Sequence, residues 1–186
     1  MGESVPSGVL TPVLRPAFIA ASIAWALVLP LAPAIAARAQ ATPIEGGFLL
    51  AVYAIGSGIC HQRPERSFFL WSHQMPVCAR CAGIYFGAAI AALVAITLPP
   101  LKGWPATGGE GRPTTAGAMG PRVSARVWRA ILVAASLPTA ASIFYEWITG
   151  DMPSHWVRAA TGLPLGAAIA ATVVSALAPL RLGADD

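Results

Sequence analysis

The residues best suited to chemistry gather in one short stretch that contains all three cysteines of the chain. Cys60 and His61 open this stretch, His73 lies within it, and a Cys-x-x-Cys pair, Cys78 and Cys81, closes it. A Cys-x-x-Cys turn places two sulfur atoms on one side of a tight bend, which is the spacing that a tetrahedral metal ion needs. Cys60 supplies a third sulfur ligand, and His61 or His73 supplies a nitrogen ligand. The pattern therefore predicts one metal site.

Zinc is the favoured ion because sulfur-rich tetrahedral ligand sets suit it. Copper(I) and iron are not excluded, since soft thiolates bind them as well. Cys60 and His61 are adjacent, so both can bind one ion only where the helix has unwound. This makes His73 a rival to His61.

The same cysteines admit two other interpretations. Cys78 and Cys81 fit a membrane thiol-disulfide oxidoreductase, because a helix N-terminus and Arg80 favour the thiolate. An electron relay to quinone generally uses two cysteine pairs, however, and three cysteines leave such a relay incomplete. Alternatively, the cysteines are small buried thiols that only hold the loop. No catalytic base of the usual kinds stands out, so the sequence names neither a reaction nor a substrate.

Arginines surround the cysteines, namely Arg63, Arg66 and Arg80. Guanidinium groups bind anions or lipid headgroups through paired hydrogen bonds, which would make the protein an anion or lipid-headgroup carrier with a structural cysteine cluster. Arginines beside a membrane span also commonly lie at the headgroup interface without further function. Glu146 is a candidate to neutralise an arginine or to bind the metal, and His155 is a second candidate partner.

The elements that position these residues belong in a bilayer. Hydrophobic residues make up 56% of the 186 residues and charged residues only 11%, whereas a soluble domain carries about 25% charge. The net charge of +4 is scattered and forms no basic block, so nucleic acid is not a predicted partner. We predict an all-α, polytopic membrane bundle of about five transmembrane helices, from the apolar segments 16–37, 46–59, 81–101, 128–147 and 162–180.

The second segment is the shortest, and the bundle has four transmembrane helices if that segment is re-entrant. Residues 1–45 form an N-terminal helix and linker, and residues 46–182 form the membrane domain. A Gly/Pro-rich stretch at 102–122 is predicted to be a flexible loop. Ala39-Gln40-Ala41 resembles a signal-peptidase site, but the apolar run before it is longer than a signal core, which favours an uncleaved helix.

An internal repeat relates two segments, since Gly83–Ala92 aligns with Gly162–Ala171 without a gap. A true repeat makes two helical hairpins that enter the membrane from the same side. The cysteine loop and the loop with His155 then share one face. Alternatively, two Gly-x-x-x-Gly helices converged because small residues let helices approach closely, either within one chain or in a homo-oligomer.

Basic residues bear weakly on orientation. With five spans, the cysteine face holds Arg15, Arg63, Arg66, Arg80 and Arg158, against seven basic residues on the opposite face. Positive residues accumulate in the cytoplasm, so the cysteine face is predicted to lie outside a bacterial inner membrane. Free thiols persist better in the cytosol, but a bound metal removes that conflict.

These motifs resemble the signature of a family of small bacterial and archaeal membrane proteins of unknown function. The matching pieces are Cys60-His61-Gln62 and Cys78-Ala79-Arg80-Cys81-Ala82-Gly83-Ile84-Tyr85. A later family element resembles the segment around Pro138 and Arg158, but Ser142 stands where an aspartate is expected and Glu146 where a glutamine is expected. The resemblance covers about residues 49–180 and implies a membrane protein without a known reaction.

Overall fold

The structure, a computed structural model, describes residues 11–38, 40, 42–97 and 125–177. This part of the chain forms five α-helices and one β-hairpin. The helices are α1 (Thr11–Ala36), α2 (Pro43–Ile59), α3 (Ala79–Thr97), α4 (Ala125–Thr149) and α5 (His155–Ala176). The strands are β1 (Ser67–Leu70) and β2 (His73–Cys78). The predicted membrane helical bundle is confirmed, and the Gly/Pro-rich stretch at 102–122 lies outside the described residues.

Four helices, α1, α3, α4 and α5, are long and apolar enough to cross a membrane. Prolines lie inside three of them, at Pro16, Pro30 and Pro33 of α1, Pro138 of α4 and Pro164 of α5. A bilayer tolerates such prolines because neighbouring helices satisfy the carbonyls that they free. Helix α3 packs between α1 and α5, and α4 packs on the other side of α5.

Helices α3 and α5 are parallel and approach each other through glycines. A methyl group on Gly83 would overlap the carbonyl of Ala159, and one on Gly87 would overlap the carbonyl of Leu163. Gly162 and Gly166 of α5 lie equally close to the backbone at Arg80 and Ile84 of α3. The two Gly-x-x-x-Gly motifs therefore pack against each other within one chain, with residue numbers rising in the same direction on both helices.

Helix α1 runs antiparallel to α3. Its early residue Ile19 shares a buried cluster with Ala92, and its later residue Leu29 shares another with Ala82. Between them, the Trp25 and Tyr85 rings meet edge to face with centroids 6.0 Å apart. Helix α1 therefore ends on the side of the bundle where α3 and α5 begin, which we call the cysteine face.

Helix α2 has both ends on the cysteine face, so it does not cross the bundle. Residues 37–42 link it to α1, and six extended residues reach only about 20 Å against a hydrocarbon core of about 30 Å. At its other end, Cys60 accepts a hydrogen bond from the backbone N–H of Cys78 at 3.2 Å. With 17 residues, α2 is also shorter than the other helices. Of the two predicted span counts, the described residues therefore support four.

The β-hairpin occupies part of the segment predicted as a loop. Strands β1 and β2 are antiparallel, and Leu70 pairs with His73 across a two-residue turn at Trp71 and Ser72. Both turn residues have positive φ, 51° and 66°, as a type I′ turn requires. Such turns usually carry glycine or asparagine, so the sequence held no turn signal at this point.

Labelling of introduced cysteines checks the four-span topology. Gln40→Cys and Ser72→Cys are expected to react with an impermeant maleimide from the same side of the membrane, because α1 and β2 bring both positions to the cysteine face. Ala125→Cys, at the start of α4, is expected to react from the opposite side. Labelling of Gln40→Cys and Ser72→Cys from opposite sides contradicts this topology and restores the five-span bundle.

Enlarging the glycine seam checks the helix packing. Gly166→Ala is expected to destabilise the protein by about 1–3 kcal/mol or more, because the added methyl would overlap the carbonyl oxygen of Ile84. Gly47→Ala in α2 is the matched control, since nothing lies within 4 Å of its added methyl. Thermal unfolding in detergent measures both. If Gly166→Ala instead lowered the oligomeric state and left the unfolding temperature unchanged, the contact between the two Gly-x-x-x-Gly motifs would lie between chains.

Candidate functional site

The three cysteines come from three different elements and meet at one point. Cys60 ends α2 in an extended conformation, Cys78 ends β2, and Cys81 lies in the first turn of α3. Their sulfur atoms all lie within 4.8 Å of one another. All three are free thiols, and Cys60 is buried.

This spacing is close to what a tetrahedral metal ion requires. Zinc–sulfur bonds of about 2.3 Å at tetrahedral angles set neighbouring sulfur atoms about 3.8 Å apart. Side-chain rotations that move the sulfur atoms by about 1 Å would therefore close the set. Among the described histidines, cysteines and acidic residues, this is the cluster whose spacing suits a metal ion, and it contains no histidine or carboxylate.

The structure separates the two candidate nitrogen ligands. His61 follows Cys60 directly and lines the same cavity as the three cysteines. His73 begins β2 and is exposed, and five residues at 3.3 Å each place it roughly 16 Å along the strand from Cys78. His73 is therefore far from the sulfur atoms, while His61 is beside them without belonging to the cluster.

Gln62 holds the segment after Cys60 against its neighbours. Its side-chain amide donates to the carbonyls of Tyr53 in α2, at 3.0 Å, and Pro76 in β2, at 2.6 Å. Gln74 of β2 donates in return to the carbonyl of Gln62 at 2.6 Å. Gln62 adopts a φ of 46°, which is uncommon for a residue other than glycine. These hydrogen bonds support that backbone and keep Cys60 beside Cys78.

The surroundings of Cys78 favour its thiolate. A hydrogen bond from the Cys81 thiol is the largest influence that lowers the pKa of Cys78 below the ordinary thiol value, although burial opposes it. Backbone N–H groups of Cys81 and Arg80 and the Cys60 thiol lower this pKa further. These N–H groups belong to the first turn of α3, where the helix dipole stabilises negative charge. A thiolate is the form that binds metals and attacks disulfides.

Four arginines face the cysteines across a cavity of about 350 Å³, which we call the arginine cavity. Its lining includes all three cysteines and His61, together with Arg63, Arg66, Arg80 and Arg158. The arginines that the sequence singled out therefore lie together. Arg158 joins them from α5, which the sequence motif alone did not indicate as a site residue. Arg63 is largely exposed and lies 3.9 Å from Glu65.

Glu146 neutralises part of this charge. Its carboxylate bridges Arg80, at 2.6 Å, and Arg158, at 3.2 Å. Arg158 is buried, with 2% of its side chain exposed, and Glu146 and Arg80 are largely covered, with 9% and 14% exposed. Arg80 also donates to the hydroxyl of Ser142 at 2.8 Å. Ser142 and Glu146 lie one turn apart on α4, and Arg80 contacts both.

His155 lies near the hairpin and not among the sulfur atoms. The ring of Phe68 in β1 contacts the rings of His155 and Trp156, with centroids 5.6 Å and 5.0 Å apart. The cysteine loop and the start of α5 therefore share one face, as the repeat interpretation predicted.

Two residues of the site escaped the sequence analysis, and each carried a weak signal. Arg158 matched the later family element, and it precedes Gly162 by about one helical turn as Arg80 precedes Gly83. Gln62 belonged to the Cys-His-Gln motif, but nothing in the motif indicated that its amide would join α2 to β2.

Relocation of the carboxylate on α4 provides a test of this ion-pair network. Glu146→Gln is expected to lower stability by roughly 3 kcal/mol or more, because it leaves buried Arg158 without a counter-charge. Adding Ser142→Asp to Glu146→Gln is expected to restore part of that loss, since Arg80 already reaches position 142. Thermal unfolding in detergent measures the series.

Asp151→Asn is the matched control for charge loss, because Asp151 is exposed on the same face. Its unfolding temperature is expected to stay within experimental error of the unmodified protein. If Glu146→Gln and Asp151→Asn behaved alike, the buried network would have no role in stability.

Comparisons with known proteins agree with this architecture. The model of a family described as "Predicted membrane protein (DUF2085)" matches residues 60–172, which is more than half of the chain. A stretch of 45 residues is 51% identical to an uncharacterised protein, MJ1492, of Methanocaldococcus jannaschii. An uncharacterised protein of Methanothermobacter thermautotrophicus is 51% identical to this chain over 41 residues. The matches cover 24% and 22% of this chain and 29% and 37% of those relatives. No solved structure matches the chain.

Proposed function

We propose that this chain, which belongs to the DUF2085 family of predicted membrane proteins, binds one zinc ion through Cys60, Cys78 and Cys81 at the membrane interface. The observation that carries this proposal is the convergence of three sulfur atoms within 4.8 Å from three separate elements. His61 is the fourth ligand, because it lines the same cavity. Thiolate-rich tetrahedral sets favour zinc over harder ions, and copper(I) or iron is the alternative.

A zinc ion at this point would join elements that otherwise share few contacts. The described residues of α2 pack mainly on α1 and β2, away from α4 and α5. An ion bound by Cys60 and Cys81 would link the end of α2 directly to the start of α3. The proposed role is therefore structural, since metal binding stabilises the fold that forms its site.

We place the site on the outer face of the bacterial inner membrane. With four spans, Arg38 moves to the cysteine face, and Arg15 moves to the opposite face, where it lies beside Ala95 and Ile96. The cysteine face then holds five basic residues, of which Arg80 and Arg158 are buried in ion pairs. The order of the spans along the chain assigns the other seven basic residues to the opposite face. The larger number favours a cytoplasmic location for that face.

Metal analysis tests the zinc proposal. Protein purified without added metal and without a polyhistidine tag is expected to contain about one zinc ion per chain, as measured by inductively coupled plasma mass spectrometry. Cys78→Ser is expected to lower both zinc content and unfolding temperature. His61→Ala is expected to weaken zinc binding more than about tenfold, since even outer-shell changes cost that much. His73→Ala is the matched control and is expected to retain full affinity.

A thiol-disulfide oxidoreductase is the second candidate, and the lowered pKa of Cys78 beside the Cys81 thiol favours it. This function requires Cys78 and Cys81 to form a disulfide. Two cysteines joined in a disulfide cannot also bind zinc as thiolates. Three freely titratable thiols with zinc content near zero would contradict the zinc proposal. A mixed disulfide trapped on Cys78 in the Cys81→Ser variant would then support the redox function.

A further inference from the structure

The arginine cavity contains guanidinium groups whose hydrogen bonds are incomplete. In the described part of the chain, four arginine side chains have a buried Nε atom without a hydrogen-bond partner, and three of them line this cavity: Arg66, Arg80 and Arg158. The fourth, Arg15, lies at the opposite face of the bundle. Buried polar groups are normally satisfied, so these three Nε atoms can donate to a ligand, an ion or water in the cavity.

The charges around the cavity are also unbalanced. Arg66, Arg80 and Arg158 carry three positive charges, and Glu146 alone is paired with two of them. A zinc ion with three thiolates would contribute one negative charge and leave one positive charge unmatched. The unmatched charge lies beside the buried Arg158, and an anion in the cavity would offset it.

The two helices that carry these arginines add to the positive potential. Arg80 is the second residue of α3, and Arg158 is the fourth residue of α5. Helix N-termini favour acidic residues because the helix dipole is positive there, yet neither helix has an acidic residue in its first turn. Since α3 and α5 are parallel, both N-termini lie at the same face. Glu146 pairs with both arginines, but one carboxylate offsets only part of this positive potential, and helix N-termini of this kind bind anions.

We propose that the arginine cavity binds a phosphate group, held by Arg66, Arg80 and Arg158, with Glu146 positioning the Arg80 and Arg158 side chains. Planar guanidinium groups donate paired hydrogen bonds to phosphate oxygens, and several can bind one tetrahedral anion from different sides. The cavity volume of about 350 Å³ is within the range for small-molecule sites. The phosphate belongs either to a free anion or to a phospholipid headgroup, and both are chemically suited to the membrane interface.

This inference goes beyond the zinc site and does not depend on it. Without zinc, at least one positive charge stays unmatched even when Cys78 is a thiolate, and the unpartnered Nε atoms are present in either case. Binding is therefore to be measured on protein with and without zinc. Phosphate binding by zinc-free protein with wild-type cysteines would support the phosphate site even if no zinc is found.

Arg66→Gln is the variant of choice. Arg158 and Arg80 belong to the buried ion-pair network, so their loss could prevent folding, whereas Arg66 is half-buried and pairs with no carboxylate in the described residues. Arg38→Gln is the matched control. It removes the same charge on the same face, but Arg38 pairs with Glu45 outside the cavity.

Equilibrium dialysis with radioactive inorganic phosphate measures binding by delipidated protein in detergent. A free anion predicts saturable binding that weakens by about tenfold or more in Arg66→Gln, as expected for loss of charged hydrogen bonds, and is unchanged in Arg38→Gln. Arg66→Lys keeps the charge without the paired donors and is expected to bind with intermediate affinity.

Reconstitution in nanodiscs distinguishes the lipid source. The protein is reconstituted in discs of phosphatidylcholine with phosphatidylglycerol and analysed by native mass spectrometry. A lipid source predicts a retained phospholipid that Arg66→Gln loses and Arg38→Gln keeps. It also predicts no binding of inorganic phosphate in the dialysis experiment. Either pattern supports a phosphate site. Binding of neither probe, or equal losses in Arg66→Gln and Arg38→Gln, would overturn the inference.

Discussion

The close approach of α3 and α5 through their four glycines is the constraint on which the rest of the structure depends. Because two glycines on each helix lie at the contact, each backbone closely approaches the carbonyls of the other. Contact at this distance aligns the helices in parallel and fixes their relative height. Their N-termini therefore meet at one face, and residues placed before the first glycine of each helix become neighbours.

This alignment explains why charged residues occur inside so apolar a protein. Arg80 and Arg158 lie about one turn before Gly83 and Gly162, so the seam brings both guanidinium groups within reach of one carboxylate on α4. In a bilayer an isolated charge is costly, and intramembrane charges are normally paired. Glu146 serves both arginines at once, but one carboxylate cannot neutralise two cations. The remaining positive potential faces the arginine cavity, which the three cysteines also line.

The segment from Cys60 to Cys78 completes the face from the other side. The hairpin packs against α1, where Met75 and Val77 share a buried cluster with Leu29. Gln62 and Gln74 join the hairpin to α2 through hydrogen bonds, and Gly56 lets α2 approach β2 at Pro76. Cys60 thereby reaches the N–H of Cys78. Cysteines and arginines that are separated along the chain face one cavity because two independent packing contacts, one helical and one at the hairpin, converge there.

The sequence by itself determined the membrane class, the apolar helices and the importance of the cysteine stretch, because composition, segment length and Cys-x-x-Cys spacing are local properties. Tertiary structure alone decided that α2 does not cross the bundle, that residues Trp71 and Ser72 form a hairpin turn, and that Arg158 and Glu146 join Arg80. Those outcomes depend on which backbones approach closely and on which distant charges become neighbours. A glycine in the sequence permits such an approach, but only packing selects the partner helix, its direction and its register.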